Sequence, residues 1–194
     1  KKLLEKEETI LQNVSVAERS GGTIEPLPKL QWFVDVNKKF KMKGSRIDGV
    51  RAGDAVSLKY LLHKVVENGQ IRIIPEHFAK IYSHWIENLH DWCISRQIWF
   101  GHRIPVWYRP KDGQPGAGQE TYVGVEAPKG EGWEQDPDTL DTWFSSWLWP
   151  FSTLGWPPSG TASPSEKTKD LEYFYPTSVL VTAQEIIFFW VARM

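Results

Sequence analysis

The residues best suited to chemistry fall in three places. Asp136, Asp138 and Asp141 set three carboxylates within six positions of a tryptophan-rich chain. Paired carboxylates do the acid–base work of glycoside hydrolysis, and tryptophan rings make sugar platforms. The same acidic run precedes an apolar stretch, where an aspartate equally serves as a helix N-cap. Arg96, Gln97, His102 and Arg103 lie among the rings and aliphatic side chains of residues 92–108. Polar groups so placed need partners, either in the core or in a ligand. For a lone histidine such as His102, the core position outweighs catalysis. Third, residues 179–194 read as a short buried strand, a tight turn and the start of a helix. In an open parallel sheet ligands bind at that corner, because the strand's carboxyl end and the helix's first amides converge there. Ile186 and Trp190, four apart and so on one helix face, would floor a pocket.

Several other chemistries find no support. No serine sits in the glycine-flanked elbow of a hydrolase nucleophile. Neither Gly-rich phosphate loop occurs, and the five histidines form no His-Glu-x-x-His pair. His84 and His90, six apart on a predicted helix, are poorly spaced to share a metal. Cys93 is the only cysteine, which excludes an intrachain disulfide and a multi-cysteine zinc site and suits a reducing cytoplasm. The net charge of −1 gives no global attraction for nucleic acid, so any such contact needs a local basic patch. No signal peptide opens the chain, and its longest apolar run, residues 186–192, is too short for a membrane span. The 11 tryptophans among 194 residues mark either a large aromatic core or stacking surfaces for a ligand.

The elements that must position these groups follow from periodicity and punctuation. A short helix is expected over residues 1–12, then strands at 13–16 and 23–25 around the Gly21-Gly22 turn. Pro26 and Pro28 impose an extended connection to a strand over 32–36. Residues 38–51, rich in Lys, Arg and Gly, form an exposed basic loop: a solvated linker, or less commonly a phosphate-backbone contact. Asp54 is placed to cap a helix to about Asn68, with Leu58, Leu61, Leu62 and Val65 inward and Gly69 at the stop. Residues 71–74 read as a strand. Phe78, Ile81, Tyr82, Trp85 and Leu89 then give the clearest helical spacing, over 76–91. Residues 104–108 predict a buried strand, 122–125 a strand inside a Gly-rich hairpin, and 157–169 a loop. Lys1 falls inside a predicted helix and Met194 in mid-helix without a cap, which suggests a piece of something larger.

Three stretches carry a resemblance. Asp91 to Tyr108, with its Gly101-His102-Arg103-Ile104-Pro105 continuation, resembles the return from the editing insertion in class I aminoacyl-tRNA synthetases. Leu140 to Ser146 with Trp149 to Pro157, and Ile186 to Met194, are similar to the same family, and to its valine-specific branch in particular. The likeness covers nearly the whole chain and is weakest at 38–57. It implies an α/β fold: the second half of a Rossmann-like catalytic domain with the tail of the editing insertion. The implied boundaries are 1–31 for the editing edge and return linker and 32–194 for the catalytic half, with a surface excursion at 109–135.

The resemblance also implies partners and roles. Valine's side chain would sit among groups matching Trp143, Ile186 and Trp190, since a small branched side chain needs a dry, closely fitting pocket. Such a pocket rejects larger side chains but separates threonine poorly, a limit for which valine enzymes are themselves the usual illustration and editing the remedy. ATP would be met at Ala183-Gln184-Glu185, where the family usually has Gly-x-Asp: the glycine admits the nucleotide and the acid binds ribose hydroxyls. Ala183 and Glu185 are the corresponding positions. The His-x-Gly-His and Lys-Met-Ser-Lys-Ser types of sequence, which serve ATP's phosphates, do not occur, nor do the cysteines of the zinc knuckle found in many relatives. No catalytic side chain and no metal ligand are assigned. The expectation is a cytoplasmic valine–tRNA ligase segment, inactive by itself, whose complete enzyme uses valine, ATP with Mg2+, and tRNA. The alternatives are a non-catalytic tRNA-binding module derived from a synthetase, and an aromatic-rich glycan binder or glycosidase.

Overall fold

In the computed structural model of the chain, the structure describes residues 6–110, 118–156 and 167–194. The chain divides into two compact units between Leu30 and Gln31. In the first, Val16 and Thr23 form an antiparallel bridge across a turn closed by Ala17 N–H to Gly22 O and Gly21 N–H to Ala17 O, both 2.8 Å. Gly21 supplies the left-handed φ of +68° that the turn requires. The helix expected over 1–12 does not form across residues 6–12, and 1–5 lie outside the described residues. Ile10 and Leu11 are exposed, so no packing offsets the cost of nucleating so short a helix.

The second unit mixes short strands and helices. β1 (Phe33–Val34) pairs with β4 (Trp92–Cys93), and β2 (Phe40–Lys41) with β3 (Ala55–Val56). β5 (Ser95–Arg96) pairs with β9 (Thr139–Leu140). The largest sheet has β6 (Val106–Pro110) between β7 (Gln119–Val123) and β8 (Glu134–Gln135), with Tyr108 opposite Thr121 on one side and Glu134 on the other. The loop expected at 157–169 lies largely outside the described residues.

Every pairing among the described residues is antiparallel, so the parallel sheet expected at the closing strand is not seen there. Residues 179–183 form no strand, and Val179 and Val181 are 77% and 89% exposed. A buried strand must hydrogen-bond its backbone to neighbours, and among the described residues no backbone hydrogen bond joins 179–183 to another segment.

Two helices carry the core. α1 (Leu58–Glu67) is capped by Ser57, whose Oγ accepts from Tyr60 N–H at 3.2 Å, rather than by Asp54. Asp54 instead accepts from Arg51 N–H at 2.7 Å and closes the turn into β3. Gly69, at φ +76°, ends the helix as expected. Leu62 and Val66 face the core, whereas Leu58 is exposed. α2 (His77–Glu87) centres the core on Tyr82 and Ile86, joined by Ile187 and Ala192, with Phe78, Trp85 and Leu89 around them. Ile81, expected inward, is 49% exposed because Tyr82 and Ile86 take the middle of the buried face. Residues 71–74 form no strand; Ile73 packs on the core while Ile71 and Ile74 are exposed.

The predicted C-terminal helix is two 3-10 turns, Gln184–Ile186 and Val191–Arg193, on either side of a wider turn. Ala192 N–H reaches back five residues to Ile187 O at 2.9 Å. That widening buries Ile187 and Ala192 together and lays Phe188 on Trp85, rings stacked at 5.1 Å. Packing, not helical period, sets this backbone.

Candidate functional site

Asp141 organises the first side of the site. Its backbone N–H donates to Ile94 O at 2.7 Å, fixing it beside β4 and β5. Its carboxylate caps α3 (Thr142–Ser146) by accepting from Trp143 N–H at 3.4 Å, accepts from Trp92 Nε1–H at 3.0 Å, and pairs with Arg96 at 3.0 Å. Asp141 is only 6% exposed, so this charge is stabilised by its partners rather than by water. α3 carries Trp143, and Trp92 packs on Phe144 at 5.9 Å.

The C-terminal segment supplies the second side. Trp190 Nε1–H donates to Ser146 O at the end of α3 at 3.1 Å. Phe189 stacks on Trp143 at 5.7 Å and 20°. The Arg193 guanidinium lies 4.0 Å above the Trp92 ring, a favourable cation–π position. Burial lowers the pKa of Arg193 from its usual value, opposed by the Asp141 charge. Three segments, 92–96, 141–146 and 189–193, are thereby clasped together.

The predicted site residues fall around this clasp. Trp143, Ile186 and Trp190 are all half-buried, and Trp190 N–H bonds to Ile186 O at 2.8 Å. Ala183 and Glu185 are exposed at the first 3-10 turn. Ala183 has φ −72° and ψ 145°, an ordinary conformation for an alanine, so the backbone here does not demand glycine. His102 belongs to the clasp as a support: its Nδ1 is 2.9 Å from Ser145 Oγ. Phe189, Ser146, Arg193 and the hub role of Asp141 escape sequence reasoning. Only the position of Asp141 ahead of an apolar run hinted at a cap.

The other acidic residues are structural. Asp136 is 6% exposed and accepts from Trp32 Nε1–H at 2.8 Å, Tyr108 O–H at 2.9 Å and Asp138 N–H at 2.9 Å. Asp138, equally buried, accepts from Gln97 Nε2–H at 2.8 Å. Burial and the bond to Asp136 push the Tyr108 phenol up to about 12. Carboxylates enclosed in this way cannot flank a sugar and its attacking water, which removes the glycosidase alternative. Among the described residues no three His, Cys, Asp or Glu side chains group to hold a metal ion, and no helix is long and apolar enough to cross a membrane.

A family model described as tRNA synthetases class I (I, L, M and V) matches residues 5–194. The chain is 48% identical over 199 residues to the valine–tRNA ligase of Protochlamydia amoebophila and 49% identical over 193 residues to that of Mycolicibacterium paratuberculosis. Each match covers 100% of this chain and 18% of the relative. The valine–tRNA ligase of Corynebacterium glutamicum is 50% identical over 184 residues, 95% of this chain and 17% of that protein. The chain therefore spans less than a fifth of the length of these relatives.

Proposed function

The chain belongs to the class I tRNA synthetases of the I, L, M and V group, and from that premise we propose that it is the valine-binding part of a valine–tRNA ligase. The complete, cytoplasmic enzyme would activate valine with ATP and pass it to tRNA. The mixed strands and helices of residues 32–194 would be the second half of its Rossmann-like catalytic domain, and residues 1–31 the tail of the editing insertion. The observation that supports this best is the clasp between α3 and residues 186–193. It places Trp143, Ile186 and Trp190 on two interlocked segments, each side chain still partly open.

Their chemistry suits a small branched aliphatic group. Indole faces and a β-branched side chain offer apolar surface, and the Trp190 Nε1–H donor is already spent on Ser146. Valine would then be held by shape while the reaction proceeds by positioning: its carboxylate attacks the α-phosphate of ATP in line, the bond to the β-phosphate breaks and pyrophosphate leaves, and fixed dipoles would stabilise the charge that develops.

Glu185 fits the ribose end of ATP, because its exposed carboxylate can accept from two hydroxyls. Ala183, exposed and in extended backbone, leaves its methyl at the surface beside it. The phosphates, and the Mg2+ that accompanies them, would be met by residues of the complete enzyme outside this chain. Valine-dependent pyrophosphate exchange by the full-length protein tests the assignment. Exchange with another amino acid and none with valine would overturn it. A tRNA-binding module without catalysis would show no exchange at all while still binding tRNA.

A further inference from the structure

A cavity of ≈ 390 Å³ shares no lining residue with the clasp; it is lined by Arg46, Phe151, Trp156, Lys167, Leu171, Tyr175 and Pro176. Its volume falls in the range of about 300–1,000 Å³ typical of small-ligand sites. None of the residues assigned to valine or ATP lines it.

The aromatic wall is preorganised. The rings of Trp156 and Tyr175 both meet Phe151 edge-on, at 5.2 and 5.7 Å. α4 (Trp149–Ser152) carries Phe151, and Trp156 N–H bonds back to Phe151 O at 3.1 Å. Thr168 caps α5 (Lys169–Phe174), accepting from Leu171 N–H at 3.1 Å while donating to Leu154 O. Gly155 sits at φ +79° against this cap, where an added Cβ would come within 3.1 Å of Thr168 Cγ2. Leu171, almost wholly buried, is the floor.

The other wall is cationic. Arg46 belongs to residues 38–51, where Lys38, Lys39, Lys41, Lys43, Arg46 and Arg51 stand against one acid, Asp48. Gln70 fixes its backbone by donating to Arg46 O at 2.9 Å and accepting from Asp48 N–H at 2.7 Å. Neither Arg46 nor Lys167 forms an ion pair with a carboxylate among the described residues.

Aromatic rings beside two cations match a nucleotide: the base meets the rings and the phosphate meets the guanidinium and ammonium. We propose that this cavity holds one nucleotide of the tRNA strand, with Tyr175 and its neighbouring rings contacting the base and Arg46 and Lys167 its phosphate. The choice of RNA rests on the synthetase assignment above. A polymer rather than a free nucleotide follows from the basic stretch leading to Arg46, which carries more cations than one phosphate needs. In a chain of net charge −1 this positive potential is local.

The test uses the full-length protein and a valine-accepting tRNA transcript, with the dissociation constant measured across a salt series. Arg46→Ala with Lys167→Ala should make the logarithmic salt slope shallower by about 0.7–0.9, the loss of one neutralised phosphate. Tyr175→Ala should weaken binding about tenfold without changing the slope, and Tyr175→Phe should restore it. Unchanged affinity and slope in both sets would overturn the proposal. So would AMP competing with the tRNA at this cavity at concentrations comparable with its own tight binding, since a free-nucleotide site would then be indicated. Valine-dependent pyrophosphate exchange, read on the same preparations, judges the synthetase assignment separately: its absence would refute that assignment, while the salt slope would still decide the cavity.

Discussion

The indole N–H of Trp190 donates to the carbonyl of Ser146 at 3.1 Å, and this bond ties residues 186–193 to the end of α3. It consumes the only polar atom of the Trp190 ring, so the rest of the ring is wholly apolar. Its carbonyl partner is one of the orphan acceptors at a helix C-terminus, so one contact satisfies both groups.

In the full-length protein, Trp143→Ala or Trp190→Ala should weaken valine binding about tenfold or more, since each removes an aromatic wall worth well over 1 kcal/mol of buried contact. Trp190→Phe should be milder, keeping a ring while losing the bond to Ser146. Valine affinity measured by calorimetry checks this; no change in either alanine variant would show that the rings serve only the core.

Glu185→Ala should raise the KM for ATP about tenfold or more while leaving valine affinity near wild type, because a hydrogen bond to a charged carboxylate contributes roughly 1.5–3 kcal/mol. Pyrophosphate exchange at varied ATP decides it. An unchanged KM for ATP would remove Glu185 from the nucleotide site.

Asp141→Ala should destabilise the second unit by about 2–3 kcal/mol, mainly because it leaves the Trp92 and Trp143 N–H groups without their acceptor, while Arg96, 40% exposed, loses its ion partner but not its water. Asp141→Asn should cost less, retaining an acceptor for Trp92 or Trp143 but losing the ion pair. Urea unfolding followed by tryptophan fluorescence separates the two, and equal stability of all three proteins would refute the hub role.

Tyr82 makes stability fall at high pH. Burial raises its phenol from 10.0 to about 12, and its O–H donates to Leu62 O at 3.2 Å. A raised folded pKa favours the protonated form, so this contribution is complete below pH 10 and lost as pH rises towards 12. The two-unit shift corresponds to about 2–3 kcal/mol. Tyr82→Phe should flatten that part of the profile; a wild-type profile level between pH 10 and 12 would contradict it.

The 194-residue chain alone should show no valine-dependent pyrophosphate exchange, since neither type of sequence that serves ATP's phosphates in the family occurs in it. Measurable exchange by the purified chain would refute this.

Much of the local structure was legible in the residues. The Gly21 turn, the end of α1 at Gly69 and the hydrophobic stripe of α2 follow from φ preferences and helical spacing, which act over a few positions. The stretches 91–108, 140–157 and 186–194 carried the family by themselves, because a long ordered match needs no coordinates.

Choices between equivalent local options were decided by tertiary structure. Asp54 and Ser57 can both cap a helix, and the turn into β3 claimed Asp54. Asp136, Asp138 and Asp141 read equally as catalytic acids or as caps. Burial among Trp32, Tyr108, Gln97, Trp92 and Arg96 made them acceptors holding loops together. The cavity beneath Arg46 joins positions more than a hundred residues apart, and no periodicity announces it. Residues 179–194 show the division most plainly. The sequence determined an apolar, aromatic segment belonging to this family. Strand and helix gave way to extended backbone and 3-10 turns, because unpaired backbone cannot hold a buried strand and because Ile187, Phe188 and Ala192 had to meet α2 together.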